Sequence, residues 1–250
     1  MRRLFVLFAL LSVAVVPHAD SAEPTLPNLR PAKPYDIQLG YSDSFDFSNP
    51  NEALRFSMAS GNVGQYALDL LGFPPKDETR TTASQCVTWI GKVCTERQEA
   101  GEFIFHPDHG HWHLDSFAAY ELRAVTRKGA VDMTDAGLVA TSGKVSFCMM
   151  DTQPVTQAED ETAVGFYNAC VGVYQGISAG WEDVYDYGLP GQQIIVKDIP
   201  DGTYALVVKS NVDGQLLETD YSDNVAHEII TLSTPVGCVG RTVTVGTTSA

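Results

Sequence analysis

An all-β chain, an antiparallel β-sandwich of immunoglobulin-like type with long loops, is what the sequence predicts, on three observations. No stretch sustains the 3.6-residue apolar period over three helical turns. Short runs rich in Val, Ile, Leu, Thr and aromatic residues recur, which suits pleated, half-buried strands. Turn signals such as Gly61-Asn62-Val63-Gly64 and Pro200-Asp201-Gly202 separate them at the spacing of a sandwich.

In chain order, Arg2 and Arg3 precede an apolar run from Leu4 to Val16, with the small residues Ala19, Ser21 and Ala22 behind it. That is the pattern of a secretion signal. The expected division is a signal peptide over 1–22, one domain over 23–233 and a flexible Thr/Ser/Gly-rich tail over 234–250. The apolar run is too short to span a bilayer, so a secreted product with no membrane anchor after cleavage is expected. Pro24, Pro27, Pro31 and Pro34 make an extended lead-in. Strands are expected at Asp36 to Tyr41, Ala53 to Met58 and Gln65 to Leu71. Residues 73–100, polar and aperiodic, read as a long surface excursion. Phe103 to Phe105 leads into a histidine-rich strand, Phe117 to Val125 continues it, and Lys144 to Met149 reads as another strand. Residues 151–190 read as loop, followed by strands at Gln193 to Val196, Thr203 to Val212 and Asn224 to Leu232.

Sixteen Lys and Arg against 31 Asp and Glu give a formal net charge of −15. Phosphate binding needs a cationic face, so the charge argues against nucleic acid as a partner. The same charge is compatible with steering cationic substrates, amines or lysine-rich polypeptides. Five cysteines in an exported chain should be mostly oxidised. Cys86 and Cys94 flank a short segment and read as a local clasp, Cys148 and Cys170 are the other natural pair, and Cys238 is left over; other pairings stay open.

Phe105 to Asp115 holds four of the six histidines, and His109, His111 and His113 occupy alternate positions, with His106 just before them. On one extended strand the three imidazoles would share a face, with Trp112 and Leu114 turned to the core. Their outer α-carbons would lie about 13 Å apart, so convergence on one ion requires a bend, which Gly110 makes cheap. Three neutral imidazoles suit Cu(II) or Zn(II), and three ligands with one open position is the pattern of a catalytic metal. Glu218, Asp220, Asp223 and Asn224 crowd oxygen donors into seven residues, which suits a hard cation such as calcium.

Four blocks in order resemble the catalytic domain of the lysyl oxidase family, from about Leu26 to about Leu232. His106 to Phe117 is similar to the family's copper motif, and Gly143 to Thr152 to the block carrying its cofactor lysine. Gln175 to Tyr185 is similar to the segment ending in the cofactor tyrosine. Gly202-Thr203-Tyr204 and Glu218 to Val225 match the closing strands. The resemblance implies copper on His109, His111 and His113, and a lysine tyrosylquinone cofactor built from Lys144 and Tyr185. It implies an amine oxidase that uses dioxygen to turn primary amines, peptidyl lysine or small amines, into aldehydes with release of hydrogen peroxide and ammonia. It also adds Asn28 and Leu29 to the calcium set. The chain departs from the animal pattern at Asp108, where a cysteine is usual, and at Ala119, where a histidine is usual. Two other readings compete: a non-catalytic metal-binding sandwich, and a zinc hydrolase on the same three histidines.

Overall fold

The computed structural model describes residues 25–43, 52–155, 164–170, 172–237 and 240–246; the signal segment and Cys238 lie outside them. Among the described residues sixteen strands, numbered here in chain order, form three antiparallel sheets, and the regular helix content is one short 3-10 turn at Asp135–Gly137. The all-β antiparallel class therefore holds, with three sheets around one core.

In the first sheet, β3 (Glu52–Asn62) is flanked along one half by β2 (Tyr35–Tyr41) and β13 (Gln193–Ile195). Its other half pairs with β1 (Leu29–Pro31) and β12 (Trp181–Tyr185), and β12 in turn with β10 (Gln153–Pro154). The second sheet runs β11 (Tyr174–Ile177), β4 (Leu68–Gly72), β5 (Arg80–Ile90), β6 (Val93–His106), β7 (His111–Leu114). The third runs β16 (Thr242–Val245), β15 (Val225–Ser233), β14 (Gly202–Ser210), β8 (Ala118–Ala124), β9 (Leu138–Thr141). Within the stretch read as a tail, β16 is thus a paired edge strand.

One apolar cluster joins the sheets: Phe56 and Met58 from β3, Leu68 and Leu70 from β4, Phe103 from β6, Leu114 from β7, Tyr120 and Leu122 from β8, Leu206 and Val208 from β14. Burial of this surface is the main drive for folding.

Residues 73–100 are not a loop excursion. They hold β5 and the start of β6, the longest hairpin among the described residues, tipped by Gly91 at φ +62° and clasped by Cys86–Cys94. Register shifts at Thr82/Ser84, Cys86/Thr88 and Thr88/Trp89 explain why no alternation was legible, since each bulge swaps the side chains' faces. Lys144 to Met149 is not a strand either: its one ladder pairing is a bridge at Phe147, with a further backbone bond from Gly176 of β11 to the Met149 carbonyl, and Phe147, Cys148 and Met149 are buried in succession as the segment dives into the core. Residues 151–190, read as loop, supply β10, β11 and β12. The second expected disulfide, Cys148–Cys170, is formed.

Phe103, fully buried and paired across from Leu114, is a test of this core. Phe103→Ala should cost about 3–5 kcal/mol, measured by urea unfolding of the metal-free protein; a loss under about 1 kcal/mol would mean that the second sheet is not anchored as described.

Candidate active site

The histidines are gathered by a hairpin and not, as the alternation implied, by one bent strand. Phe103, Phe105, Trp112 and Leu114 face the core, while Ile104↔His113 and His106↔His111 pair on the opposite face. Pro107 and Gly110 interrupt the strand, so His109 sits in the turn beside His111 and His113 on β7. Gly110 holds φ +70°, and its amide and that of His109 both donate to the His106 carbonyl oxygen, at 2.8 and 3.1 Å.

The turn solves the 13 Å problem. Ligand nitrogens of His109, His111 and His113 all lie within 4.8 Å of one another, running from exposed through half-buried to buried. The rings are oriented from behind. His111 Nδ1 meets the His109 carbonyl at 3.0 Å and His113 Nδ1 meets Ser146 Oγ at 3.4 Å, leaving the two Nε2 atoms 2.8 Å apart. Two imidazole nitrogens so close must share a proton or a cation. Two nitrogens each about 2.0 Å from one ion would lie roughly 3 Å apart, so the donor set fits copper or zinc. Burial, reinforced by the neighbouring imidazoles and Lys144, pushes His113 down to about 3, so it is neutral and ready to bind a metal. His106 stands behind the trio, its Nε2 3.1 Å from Ser146 Oγ and its ring 4.3 Å from that of His113.

Lys144 and Tyr185, 41 positions apart in the chain, meet beside the histidines. Lys144 Nζ lies 4.5 Å from the centre of the Tyr185 ring and 5.1 Å from that of Phe147, and donates to the Pro190 carbonyl at 3.2 Å. Burial outweighs the nearby carboxylates of Asp183 and Asp43 and pushes the Lys144 amine down to about 8. Tyr185 Oη donates to the Cys148 carbonyl at 2.6 Å, and the ring stands edge-on to Phe147 at 4.8 Å. Burial, then the Asp183 carboxylate, raises the phenol well above its ordinary value. A cleft of about 460 Å³ is lined by the three histidines, Lys144, Tyr185 and Asp183. A second, of about 510 Å³, opens on the other side of Lys144 and is lined by His106, His109, His113 and Ser146.

Three ties hold these segments in place. Leu114 and Phe147 exchange backbone hydrogen bonds of 2.7 and 3.0 Å, pinning the Lys144 segment to the histidine strand. Gln175, fully buried, donates to the Trp112 carbonyl and accepts from the Met149 amide. Tyr185 rides on β12, in register with Met58 of β3. Sequence reasoning missed Ser146 and Asp183. Asp183 was findable, because it precedes Tyr185 by two residues and shares its face in any strand, whereas the tie from Ser146 to His113 is purely tertiary.

Of the calcium set, Asn28, Glu218, Asp223 and Asn224 come together. Glu218 Oε1 accepts from Asn211 and Asn224 side chains, each at 2.6 Å, and Oε2 accepts from the Leu29 amide at 2.7 Å. Asn28 Nδ2 donates to Asp223 Oδ2 at 3.3 Å. Buried oxygens Asn28 Oδ1, Asp223 Oδ1 and Asn224 Oδ1 find no protein partner, an arrangement whose donor chemistry suits a hard cation. Asp220 is exposed at the turn, its Oδ1 taking the Ser222 amide, and Leu29 offers backbone alone.

The family model for lysyl oxidase matches residues 83–237, more than half of the chain. This chain belongs to the lysyl oxidase family. Protein-lysine 6-oxidase of Gallus gallus is 32% identical over 124 residues, 48% of this chain and 26% of that protein. The Sus scrofa protein of the same name is 32% identical over 124 residues, with 43% of its length covered. Lysyl oxidase homolog 3 of Homo sapiens is 30% identical over 131 residues, 51% of this chain and 16% of that protein. The matches thus span less than half of each of these relatives. Both the histidine hairpin and the Lys144–Tyr185 pair lie inside the region that the family model covers.

No atom lies within 4 Å of a Cβ built on Gly110, so a side chain there would be resisted by its backbone alone. Gly110→Ala should therefore lower stability by about 1–2 kcal/mol in chemical denaturation of the metal-free protein; no change would mean that the turn takes another conformation.

Proposed function

We propose that this chain is a secreted, copper-dependent amine oxidase that builds a lysine tyrosylquinone from Lys144 and Tyr185 within a catalytic domain over 23–233. In this reading it converts primary amines to aldehydes with dioxygen, releasing hydrogen peroxide and ammonia. The observation that carries the reading is the Lys144 amine 4.5 Å from the centre of the Tyr185 ring, on the wall of a cleft that three convergent imidazoles also line. When bound, copper on His109, His111 and His113 would supply redox chemistry with dioxygen, and the joined Lys144–Tyr185 ring a carbonyl electron sink that no ordinary side chain offers.

The chain's own residues prepare that coupling. An ammonium cannot attack a ring, and burial makes the neutral Lys144 amine available well below the pH at which a surface lysine gives up its proton. The Pro190 carbonyl holds Nζ over the ring face, while Phe147 and the Cys148 carbonyl keep the Tyr185 ring from swinging away. Such positioning lowers the entropic part of the barrier. The net charge of −15 favours cationic amines, and protein-lysine 6-oxidase among the relatives supports peptidyl lysine in lysine-rich polypeptides, beside small amines, as the substrate class. Two disulfides support an oxidising, extracellular or periplasmic setting.

After aerobic copper loading, peptide mass mapping should find Lys144 covalently joined to Tyr185, and Lys144→Arg or Tyr185→Phe should abolish both the link and amine-dependent peroxide release. A zinc hydrolase would keep ester or amide turnover in both variants, and a binding module would form no link at all. Because the Lys144 value is lowered from 10.5 to about 8, neutral amine is scarce below that pH and predominant above it. The rate of link formation should climb from pH 6 and level off above about 8; a flat profile would show that amine deprotonation does not limit coupling.

A calcium ion held by Asn28, Asp223, Asn224 and Glu218 near the Leu29 backbone, with Asp220 at its rim, is the second part of the proposal. Calcium at a hundred times its dissociation constant should stabilise the protein by about 2.7 kcal/mol, read as a higher Tm, and Asp223→Ala should erase the gain. An unmoved Tm in the unaltered protein would remove the ion from the proposal.

A further inference from the structure

We infer that Asp183 is the catalytic base of the oxidation, the group that takes the proton from the substrate's α-carbon; this rests on the amine-oxidase reading above. Residues two apart on β12 share a face, so Asp183 and Tyr185 both look into the cleft that Lys144 and the three histidines line. Asp183 is only 2% exposed. Its Oδ1 accepts from Thr152 Oγ1 at 3.2 Å, and its Oδ2 is buried with no partner. A buried carboxylate oxygen without a donor is costly and is rarely kept without a use.

The Met150 amide and the Tyr185 hydroxyl lie near this carboxyl, yet neither meets Oδ2 in hydrogen-bonding geometry. Tyr185 spends its hydroxyl proton on the Cys148 carbonyl, and Lys144 donates to the Pro190 carbonyl. Other carboxylates near the site are already engaged. Asp43 accepts from the Gly191 amide, Gln193 and Arg55; Asp151 from the Phe166, Tyr167 and Ser178 amides; Asp115 lies 3.9 Å from Arg80. The charged and titratable groups acting on Asp183 and its ring partner are Lys144, Asp151, Tyr185 and Tyr120. Burial, the largest of these influences, raises the proton affinity of Asp183, the direction a base working near neutral pH requires.

In the step itself the α-carbon–hydrogen bond breaks and an O–H bond forms on Asp183 Oδ2. The bonding electron pair would reduce the amine-bearing Lys144–Tyr185 ring by two electrons, and water would then cleave the carbon–nitrogen bond, releasing the oxidised carbon as aldehyde and leaving its nitrogen on the ring. Dioxygen would take up the two electrons with two protons, one from Asp183 and one from the reduced ring's hydroxyl, as hydrogen peroxide, and a second water would displace the nitrogen as ammonia.

The test uses the full chain carrying Asp183→Asn, loaded with copper in air. Peptide mapping should still find the Lys144–Tyr185 link, and phenylhydrazine should still label the carbonyl to the unaltered extent, because neither needs loss of an α-proton. Anaerobic bleaching of the cofactor by benzylamine should slow by about 10²–10⁴-fold. Carbon-13 titration of the metal-free protein should show a carboxyl well above the usual range that is absent from Asp183→Asn. Should Asp183→Asn not fold, Thr152→Val strips the donor from Oδ1 and should move the pH limb of anaerobic bleaching upward. Bleaching within threefold of the unaltered rate, an unmoved limb in Thr152→Val, or a folded Asp183→Asn protein that lacks the link overturns the assignment and leaves the oxidase reading standing. No link in the unaltered protein overturns both.

Discussion

Two backbone hydrogen bonds between Leu114 and Phe147 are the constraint on which the rest of the site depends. Leu114 ends the strand that carries His111 and His113, and Phe147 lies three residues beyond Lys144. Locking those two backbones together therefore sets the imidazole face and the lysine segment side by side, with Ser146 as the side-chain link between them. Phe147 then turns its buried ring edge-on to Tyr120 and Tyr185, so the third sheet and β12 are referenced to the same residue. The Cys148–Cys170 disulfide and Gln175 tie down the far side of the segment. A segment with little regular structure is thus held from both ends.

Burial sets the chemistry that this scaffold permits. His113 is kept neutral, the Lys144 amine is made easier to deprotonate, and the Tyr185 phenol and Asp183 carboxyl hold their protons more tightly. All four shifts have loss of water as their largest cause, and all four favour the uncharged form. The pocket therefore weakens the lysine as a base and strengthens Asp183 as one relative to their exposed counterparts, bringing the two closer in proton affinity than water would. Clustering ionisable groups in one dry cleft is costly for folding, and the three-sheet apolar core offsets it.

Membership of the lysyl oxidase family sits beside real departures at the same site. Asp108, where animal members place a cysteine, is exposed in the turn, and the hairpin closes through Gly110 and the His106 carbonyl without a covalent tie. Ala119 takes the place of the usual histidine on β8.

The all-β class, the two disulfides and the histidine cluster were legible in the sequence because each depends on local pattern: period two, cysteine spacing, alternate imidazoles with Gly110 among them. The β5–β6 hairpin was not legible, because three register shifts erase the alternation that marks a strand. Nor was the true shape of the histidine cluster, in which a turn and not a bent strand gathers His109, His111 and His113. Residue types alone named Lys144 and Tyr185, through the blocks around them. Only the tertiary structure decided that the amine stands over the ring, that Ser146 backs His113, and that Asp183 keeps an oxygen free. Those facts depend on which distant segments exclude water from one another, and long-range packing leaves no periodic trace in a chain read one residue at a time.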